Sequence, residues 1–190
     1  MRLARIVHLT GITPALGEAP RSLFERALAE AATISFDVNY RATLWSPAEA
    51  RAFLEPVLTR VRYLFIGQAE AQTLFGLAGS PEQTLDGLAR LAPKATISLQ
   101  RGEEGSTVLD GGRLMRPGFR PVVQVVDPIG AGDAYAAGFL WATLSGRGLQ
   151  EAVDAGTAVA AIKCSTWGDI ALVSPQDVAD LLAGGPDVRR

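Results

Sequence analysis

A glycine-rich turn that ends in an aspartate is the part of the chain best suited to chemistry. An apolar, β-branched run over 121–126 comes shortly before it, and residues 130–133 then read Gly-Ala-Gly-Asp. Glycine lets successive backbone N–H groups point into one space, and the start of a helix adds unpaired N–H donors and a positive dipole potential. The pattern predicts an anion hole suited to a phosphate, formed by the N–H groups of Gly130, Ala131 and Gly132.

Asp133 closes this turn and is informative, because a carboxylate would repel a phosphate if it acted only as a ligand. As a general base it could take a proton from a substrate hydroxyl while the neighbouring N–H groups stabilise the transferred phosphoryl group. The local pattern alone equally allows a favourable acidic residue in the first turn of an ordinary helix. Two other phosphate motifs are excluded, because the chain has no Gly-Lys pair and Tyr135 stands where a dinucleotide fingerprint needs glycine.

Alternating strand-like and helix-like segments must position this turn. The hydrophobic patterns predict strands over 4–9, 33–38, 62–66, 95–99 and 121–126, and a hairpin over 106–116. They predict helices over 21–32, 69–75, 132–145, 149–165 and 175–183, and further helices that begin at 46–49 and 80–83. Both of these last segments have the form of a capping box with proline in the first turn. The helix from 46–49 is expected to run toward Arg60, with a kink or interruption at Pro56.

Strands that alternate with helices of this length indicate βαβ units. We therefore expect a three-layer α/β/α sandwich with a mostly parallel sheet and one antiparallel hairpin. It would form a single α/β domain over 1–190, with a frayed tail over 184–190. Ligands of such sheets bind at the carboxyl ends of the strands, and residues 127–133 are predicted to lie at such an end.

Charge and cysteine content limit the classes of partner and compartment. The 190 residues include 18 Lys and Arg against 20 Asp and Glu, a net charge of −2, with no basic cluster. Nucleic acid and anionic membrane partners therefore have no electrostatic support. A single cysteine, Cys164, excludes an internal disulfide framework and fits a reducing, cytoplasmic location. The longest apolar stretches are shorter than the ~20 residues of a membrane span.

The segment DPIGAGDAYAAGF, residues 127–139, resembles the C-terminal signature of the ribokinase-like (PfkB) carbohydrate kinases. The stretches 7–16, 35–46 and 64–76 are similar to parts of the 2-keto-3-deoxygluconate kinases of that family, and the resemblance extends over 6–182. It implies a ribokinase-like fold and an ATP-dependent kinase acting on a hydroxyl of a sugar or sugar acid, with 2-keto-3-deoxygluconate as the expected substrate. Mg²⁺ is expected to arrive with the nucleotide, since no cluster of His, Cys, Asp and Glu has metal-ligand spacing.

By the same resemblance, Asp133 would be the catalytic base, and the anion hole over 130–132 would hold the γ-phosphate of ATP. Asn39 and Arg41 follow a strand end and would contact substrate and phosphate, with Arg41 as a bidentate cation. Asp169 would lie near the sugar. Without the resemblance, a surface ion pair would be the favoured interpretation of Arg41.

The segment LQRGEEG, residues 99–105, resembles the loop of these kinases that borders the phosphates and ribose of the nucleotide. The residues that would bind the nucleotide are Gln100, Arg101, Gly102 and Gly105. Gln100 stands in the place of the usual lysine, so one cation is missing unless Arg101 substitutes for it. Glu70 matches the acid that helps to hold the water shell of magnesium. From the residues alone, 102–105 is a turn between two strands and Glu70 is a solvated helix residue.

Members of the family carry a long N-terminal part before the strand equivalent to 4–9, and these 190 residues lack it. That part would supply the first strands of the sheet, a glycine-pair motif and a lid. We therefore expect an exposed sheet edge that allows a homo-oligomer, and poor exclusion of water from the transferred group. Two alternatives to an active kinase stay open: a truncated, non-catalytic remnant that binds nucleotide, and a structural fragment without a ligand.

Overall fold

The structure, a computed structural model, describes residues 4–121 and 124–184 of the chain. It divides into two compact units, Met1–Leu114 and Met115–Arg190. The single domain expected over 1–190 stays a prediction, and all but the first residue of the tail over 184–190 lie outside the described residues. Within the described ranges, no helix is long and apolar enough to cross a bilayer.

A six-stranded sheet, with its strands in chain order, is the framework of the first unit. The strands are β1 (Val7–Thr10), β2 (Ile34–Asp37), β3 (Tyr63–Gly67), β4 (Thr96–Gln100), β5 (Ser106–Asp110) and β6 (Arg113–Met115). Strands β1 to β4 are parallel neighbours, and β5 runs antiparallel to β4. The mostly parallel sheet with an antiparallel hairpin is therefore confirmed.

The helices of the first unit are α1 (Ile12–Ala15), α2 (Glu18–Glu30), α3 (Pro47–Leu58), α4 (Gln68–Phe75) and α5 (Pro81–Leu91). Helices α3 and α5 begin at serine capping boxes, whereas α1 and α2 have no side-chain cap. At the start of α3, Ser46 Oγ accepts the N–H of Glu49 at 3.3 Å, and Glu49 Oε2 accepts the N–H of Ser46 at 2.9 Å. Pro56 does not interrupt α3, which continues to Leu58, although the proline has no N–H to donate within the helix.

Alternation along the strands gives this sheet one apolar face and one mixed face, on which buried Phe65 lies among polar residues. Phe36 of β2 and Leu64 of β3 are fully buried in a core that also contains Leu54 of α3. The neighbouring strand positions point to the opposite face and include polar residues such as Ser35 and Ser98. The helices therefore hold one face of the sheet through apolar contacts, while the other face carries hydroxyl groups.

The described part of the second unit contains α6 (Ala131–Leu144), α7 (Leu149–Cys164) and α8 (Pro175–Leu182). Each helix begins and ends within one residue of its predicted boundaries. Helices α6 and α7 pack closely through glycine. A Cβ on Gly138 would lie 2.7 Å from the carbonyl oxygen of Ala155, and one on Gly156 would lie 2.9 Å from that of Tyr135. Any larger residue at these two positions would push the helices apart.

The strand predicted over 121–126 was wrong for the described residues. Residues 121 and 124–126 belong to no strand, and residues 122 and 123 lie outside the described ranges. Val126 donates its N–H to the carbonyl of Cys164 at 2.7 Å, so this donor pairs with the end of α7 instead of a neighbouring strand. A β-branched run reports a preference for extended backbone, but tertiary contacts decide the partner.

Candidate active site

The glycine-aspartate turn opens helix α6. Gly130 precedes the helix with a left-handed backbone (φ 81°), and the first intrahelical bond runs from the N–H of Ala134 to the Gly130 carbonyl at 2.9 Å. The N–H of Ala131 donates to the carbonyl of Pro128 at 3.1 Å. The turn itself therefore uses the Ala131 donor.

The N–H groups of Gly132 and Asp133 remain for an anion. Helix geometry leaves the first N–H groups of a helix without intrahelical partners, and the helix dipole is positive at this end. Within the described ranges, no backbone carbonyl accepts a hydrogen bond from either group. The anion hole over Gly130, Ala131 and Gly132 stays a prediction, and this geometry favours Gly132 and Asp133 as the donors.

Asp133 lies in the first turn of α6 with an exposed side chain. Among the residues that the structure describes, none forms a hydrogen bond or ion pair with its carboxylate. An acid in the first turn also stabilises a helix through its dipole without a hydrogen bond. The exposed carboxylate is accessible to a substrate hydroxyl, as a general base must be.

Gly130 is in close contact with the loop that carries Asp169. A Cβ on Gly130 would lie 2.5 Å from the carbonyl oxygen of Asp169. Both this approach and the positive φ require glycine. The structure thus brings Asp169, the predicted sugar neighbour, next to the anion turn, and its side chain is exposed.

Asp127 and Lys163, which the sequence pattern did not assign to the site, anchor the turn. Asp127 accepts the N–H of Ile129 at 2.9 Å and that of Gly168 at 3.1 Å on its two carboxylate oxygens. The bond from Ile129 is the main cause that lowers the pKa of Asp127; Gly168 and the charge of Lys163 act in the same direction, and desolvation opposes them. An aspartate before Pro-x-Gly is a turn signal, whereas no sequence signal marks Lys163.

In the first unit, Glu70 ties the loop of Asn39 and Arg41 to the start of α4. Glu70 Oε2 accepts the N–H of Gly67 at 2.8 Å, and Oε1 accepts that of Tyr40 at 2.6 Å. Burial raises the pKa of Glu70, while the hydrogen bonds from Gly67 and Tyr40 and the charge of Arg41 partly oppose the rise. The structure therefore brings Glu70 together with Asn39 and Arg41, and Glu70 is not a solvated helix residue.

Asn39 and Arg41 follow the end of β2 in a constrained loop. Among the described residues other than glycine, Asn39 alone has a positive φ (41°), and its N–H donates to Asp37 Oδ1 at 3.1 Å. Strained backbone of this kind persists where surrounding contacts enforce it and is concentrated at functional sites. Arg41 is exposed, donates to the Tyr40 carbonyl at 3.1 Å, and forms no ion pair with a described residue.

The last residue of β4 and the first residue of the loop after it contain buried donors that lack described partners. Gln100 Nε2 and Arg101 Nε are buried, and neither finds a hydrogen-bond acceptor within the described ranges. The rest of the Arg101 guanidinium is engaged by the carboxylate and the carbonyl of Glu104. Gly102 and Gly105 have φ values of 57° and 79°, so the loop depends on glycine. Arg101 could replace the missing lysine only after its release from Glu104.

The fold agrees with the comparison to protein families. The chain belongs to the PfkB family of carbohydrate kinases, which it matches over residues 2–176. The 2-dehydro-3-deoxygalactonokinase of Haloferax volcanii is 34% identical over 188 residues, which are 96% of this chain and 58% of that protein. The 2-dehydro-3-deoxygluconokinase of Thermoproteus tenax is 35% identical over 183 residues, which are 94% of this chain and 55% of that protein.

A solved structure of a related kinase has the same fold over most of this chain. The crystal structure of 2-dehydro-3-deoxygluconokinase from Thermotoga maritima matches with a TM-score of 0.86 and 26% identity. The match covers 95% of this chain and 60% of that one. The expected ribokinase-like fold is therefore confirmed, and the chain spans little more than half the length of these relatives.

Proposed function

We propose that this chain carries the phosphoryl-transfer site of an ATP-dependent carbohydrate kinase. The observation that supports this most directly is the start of α6, where the N–H groups of Gly132 and Asp133 lie beside the exposed Asp133 carboxylate. The donors suit a phosphoryl group and the carboxylate suits a hydroxyl proton, so one short segment offers both functions. Membership of the PfkB family supports the same reaction.

In the proposed reaction, a hydroxyl of a sugar or sugar acid forms a bond to the γ-phosphorus of ATP, and the bond to the departing ADP breaks. Asp133 takes the hydroxyl proton, and the N–H groups of Gly132 and Asp133 stabilise the charge on the transferred group. Mg²⁺ bound with ATP would neutralise phosphate charge. Within the described ranges, no group of three or more His, Cys, Asp or Glu could hold a metal. We therefore expect the nucleotide phosphates to carry the ion.

Residues of the first unit supply the other proposed contacts. Gln100, Arg101, Gly102 and Gly105 are proposed to border the nucleotide, because their loop resembles the nucleotide loop of the family. Asn39 and Arg41 are proposed to contact substrate and phosphate, with Arg41 as the cation. An indirect role of Glu70 in magnesium binding stays a prediction.

The names of the relatives favour a 2-dehydro-3-deoxy sugar acid as the substrate. We propose 2-keto-3-deoxygluconate, phosphorylated on its terminal hydroxyl, and the galactonate analogue is the natural compound for comparison. A cytoplasmic location, suggested by the single Cys164, and a homo-oligomer stay predictions.

The proposal is tested by ATP consumption with 2-keto-3-deoxygluconate in the wild-type chain and in Asp133→Asn. A general base supplies about 10²–10⁴-fold, so we expect a loss of that order in kcat. Asp177→Asn is the matched control, because Asp177 has the same position in the first turn of α8 and caps its helix. Asp177→Asn should lower the melting temperature without lowering kcat. Wild-type activity in Asp133→Asn would contradict the proposed mechanism.

A nucleotide-binding protein without phosphoryl transfer is the second candidate. The resemblance of residues 99–105 to a nucleotide loop supports nucleotide binding whether or not transfer occurs. This candidate predicts a melting temperature that rises with ATP and no phosphorylated sugar. A structural fragment without a ligand predicts no such rise.

A further inference from the structure

Lys163, in the last turn of α7, has its ammonium group inside the protein. Lys163 is 1% exposed, and its Nζ donates to the carbonyl of Asp127 at 2.8 Å. A buried ammonium is costly unless it is hydrogen-bonded or paired. The only other lysine of the chain, Lys94, is exposed. The burial of Lys163 therefore calls for a specific role.

The carbonyl that Lys163 holds belongs to the residue that begins the anion turn. On its other side, the N–H of Asp127 donates to the carbonyl of Cys164 at 3.2 Å. The carboxylate of Asp127 accepts the N–H groups of Ile129 and Gly168. The last turn of α7 therefore fixes Asp127 through both of its backbone groups, and Asp127 fixes the residues that lead into α6.

The charge of Lys163 also acts at this place. Helix α7 ends here, and the carbonyl end of a helix carries partial negative charge. A negative helix end behind an anion-binding turn would weaken the attraction of the turn for a phosphate. The ammonium of Lys163 offsets that charge, and it acts more strongly in the protein interior than a surface lysine would.

We propose that Lys163 is a positioning residue for phosphoryl transfer: by holding the Asp127 carbonyl, it fixes the turn from which Gly132 and Asp133 act. The effect on turnover rests on the proposed function, whereas the effect on the turn does not. Methionine, a neutral and unbranched side chain one heavy atom shorter than lysine, would fill most of the same space and leave the carbonyl without its donor. The turn would then open more often while the helices on either side stay folded.

The experiment compares the full chain with Lys163→Met and, as a matched control, Lys94→Met. Hydrogen–deuterium exchange reports opening of the turn over 124–134, and calorimetric titration measures ATP binding. In Lys163→Met we expect faster exchange over 124–134 and unchanged exchange in α2. We expect ATP affinity to fall by up to about tenfold, because the hydrogen bond that is lost lies within the protein and weakens binding only through opening of the turn. The Lys94 variant should match the wild type in both measurements.

Rescue of Lys163→Ala by small molecules separates the effect of the charge from the effect of the side-chain volume. The truncation leaves space for propylammonium, which restores the missing chain and its charge. The similarly sized 1-propanol restores the volume and a hydroxyl without the charge. We expect propylammonium to slow exchange over 124–134 and to tighten ATP binding more than 1-propanol does.

Several results would overturn the proposal. They are wild-type exchange over 124–134 in Lys163→Met, exchange that is faster throughout the second unit, and equal or absent rescue by the two compounds. If the wild-type chain neither binds ATP nor transfers phosphate, the proposed function fails. In that case the exchange comparison still decides whether Lys163 fixes the turn.

Discussion

Replacement of Gly130 by alanine tests the closest backbone contact of the candidate site. Gly130 has a φ of 81°, and its Cβ would lie 2.5 Å from the carbonyl oxygen of Asp169. Gly146 is the matched control, because its φ is 76° and a Cβ there would meet nothing within 4 Å. The two substitutions share the backbone strain and differ in the contact.

The size of the effect follows from these two costs. A residue with a side chain in the left-handed region costs about 1–2 kcal/mol, which is the whole effect expected for Gly146→Ala. At Gly130 the Asp169 carbonyl must also move away from the new Cβ, and overpacking of this kind adds about 1–3 kcal/mol. Gly130→Ala should therefore cost about 2–5 kcal/mol. At roughly 2–4 °C per kcal/mol, the melting temperature should fall by about 2–8 °C in Gly146→Ala and by about 4–20 °C in Gly130→Ala.

Thermal and urea unfolding measure the stability difference, and ATP consumption with 2-keto-3-deoxygluconate measures its effect on the site. Gly130→Ala should lose about 10²-fold in kcat, because a displacement of about 1 Å in a reacting geometry can cost that much. Gly146→Ala should keep wild-type turnover. Equal losses of stability would refute the inferred contact, and normal turnover in a folded Gly130→Ala would refute the role of the turn geometry.

The remaining predictions concern acidic residues. Asp127→Asn should remove stability that is present above a pH of about 4 and lost as the pH falls through the lowered pKa of Asp127. Glu70→Gln should remove a contribution to the free energy of unfolding with the opposite pH dependence. That contribution is present below a pH of about 4.3 and is lost as the pH rises through the raised pKa of Glu70. Urea unfolding across the acidic and neutral range measures both, and equal signs would contradict the assignments. Glu104→Gln should remove the ion pair of Arg101, although the bond to the carbonyl of residue 104 remains, and should tighten ATP binding by up to about fivefold in a titration; Glu103→Gln should not.

Local interactions could be predicted from the sequence, whereas contacts between residues far apart in the chain could not. The capping boxes at Ser46 and Ser80 are local, and α3 and α5 begin directly after these residues. The Asp-Gly pair at Asp110 is also local, and it lies at the predicted hairpin. The prediction of a strand over 121–126 was wrong because the N–H of Val126 donates to the end of a helix much later in the chain.

The same limit applies to the candidate site. Gly130 and Asp133 could be found from the sequence because a glycine turn before a helix is a local pattern. Lys163 has the sequence pattern of an ordinary cation in the last turn of a helix, and Glu70 that of a surface acid. Their burial and their bonds to remote backbone groups arise only from tertiary packing, so the local pattern could not indicate their roles.

The packing of α6 against α7 connects remote glycines to the anion turn. Gly138 and Gly156 let the two helices approach within a distance that no Cβ would allow. That approach brings the last turn of α7 to the residues before α6, where Lys163 and Cys164 hold Asp127 from both sides. A side chain at either glycine would separate the helices and weaken these bonds. The site could therefore be lost while every residue of the turn stays unchanged, because the position of the turn is set by helix packing as well as by its own sequence.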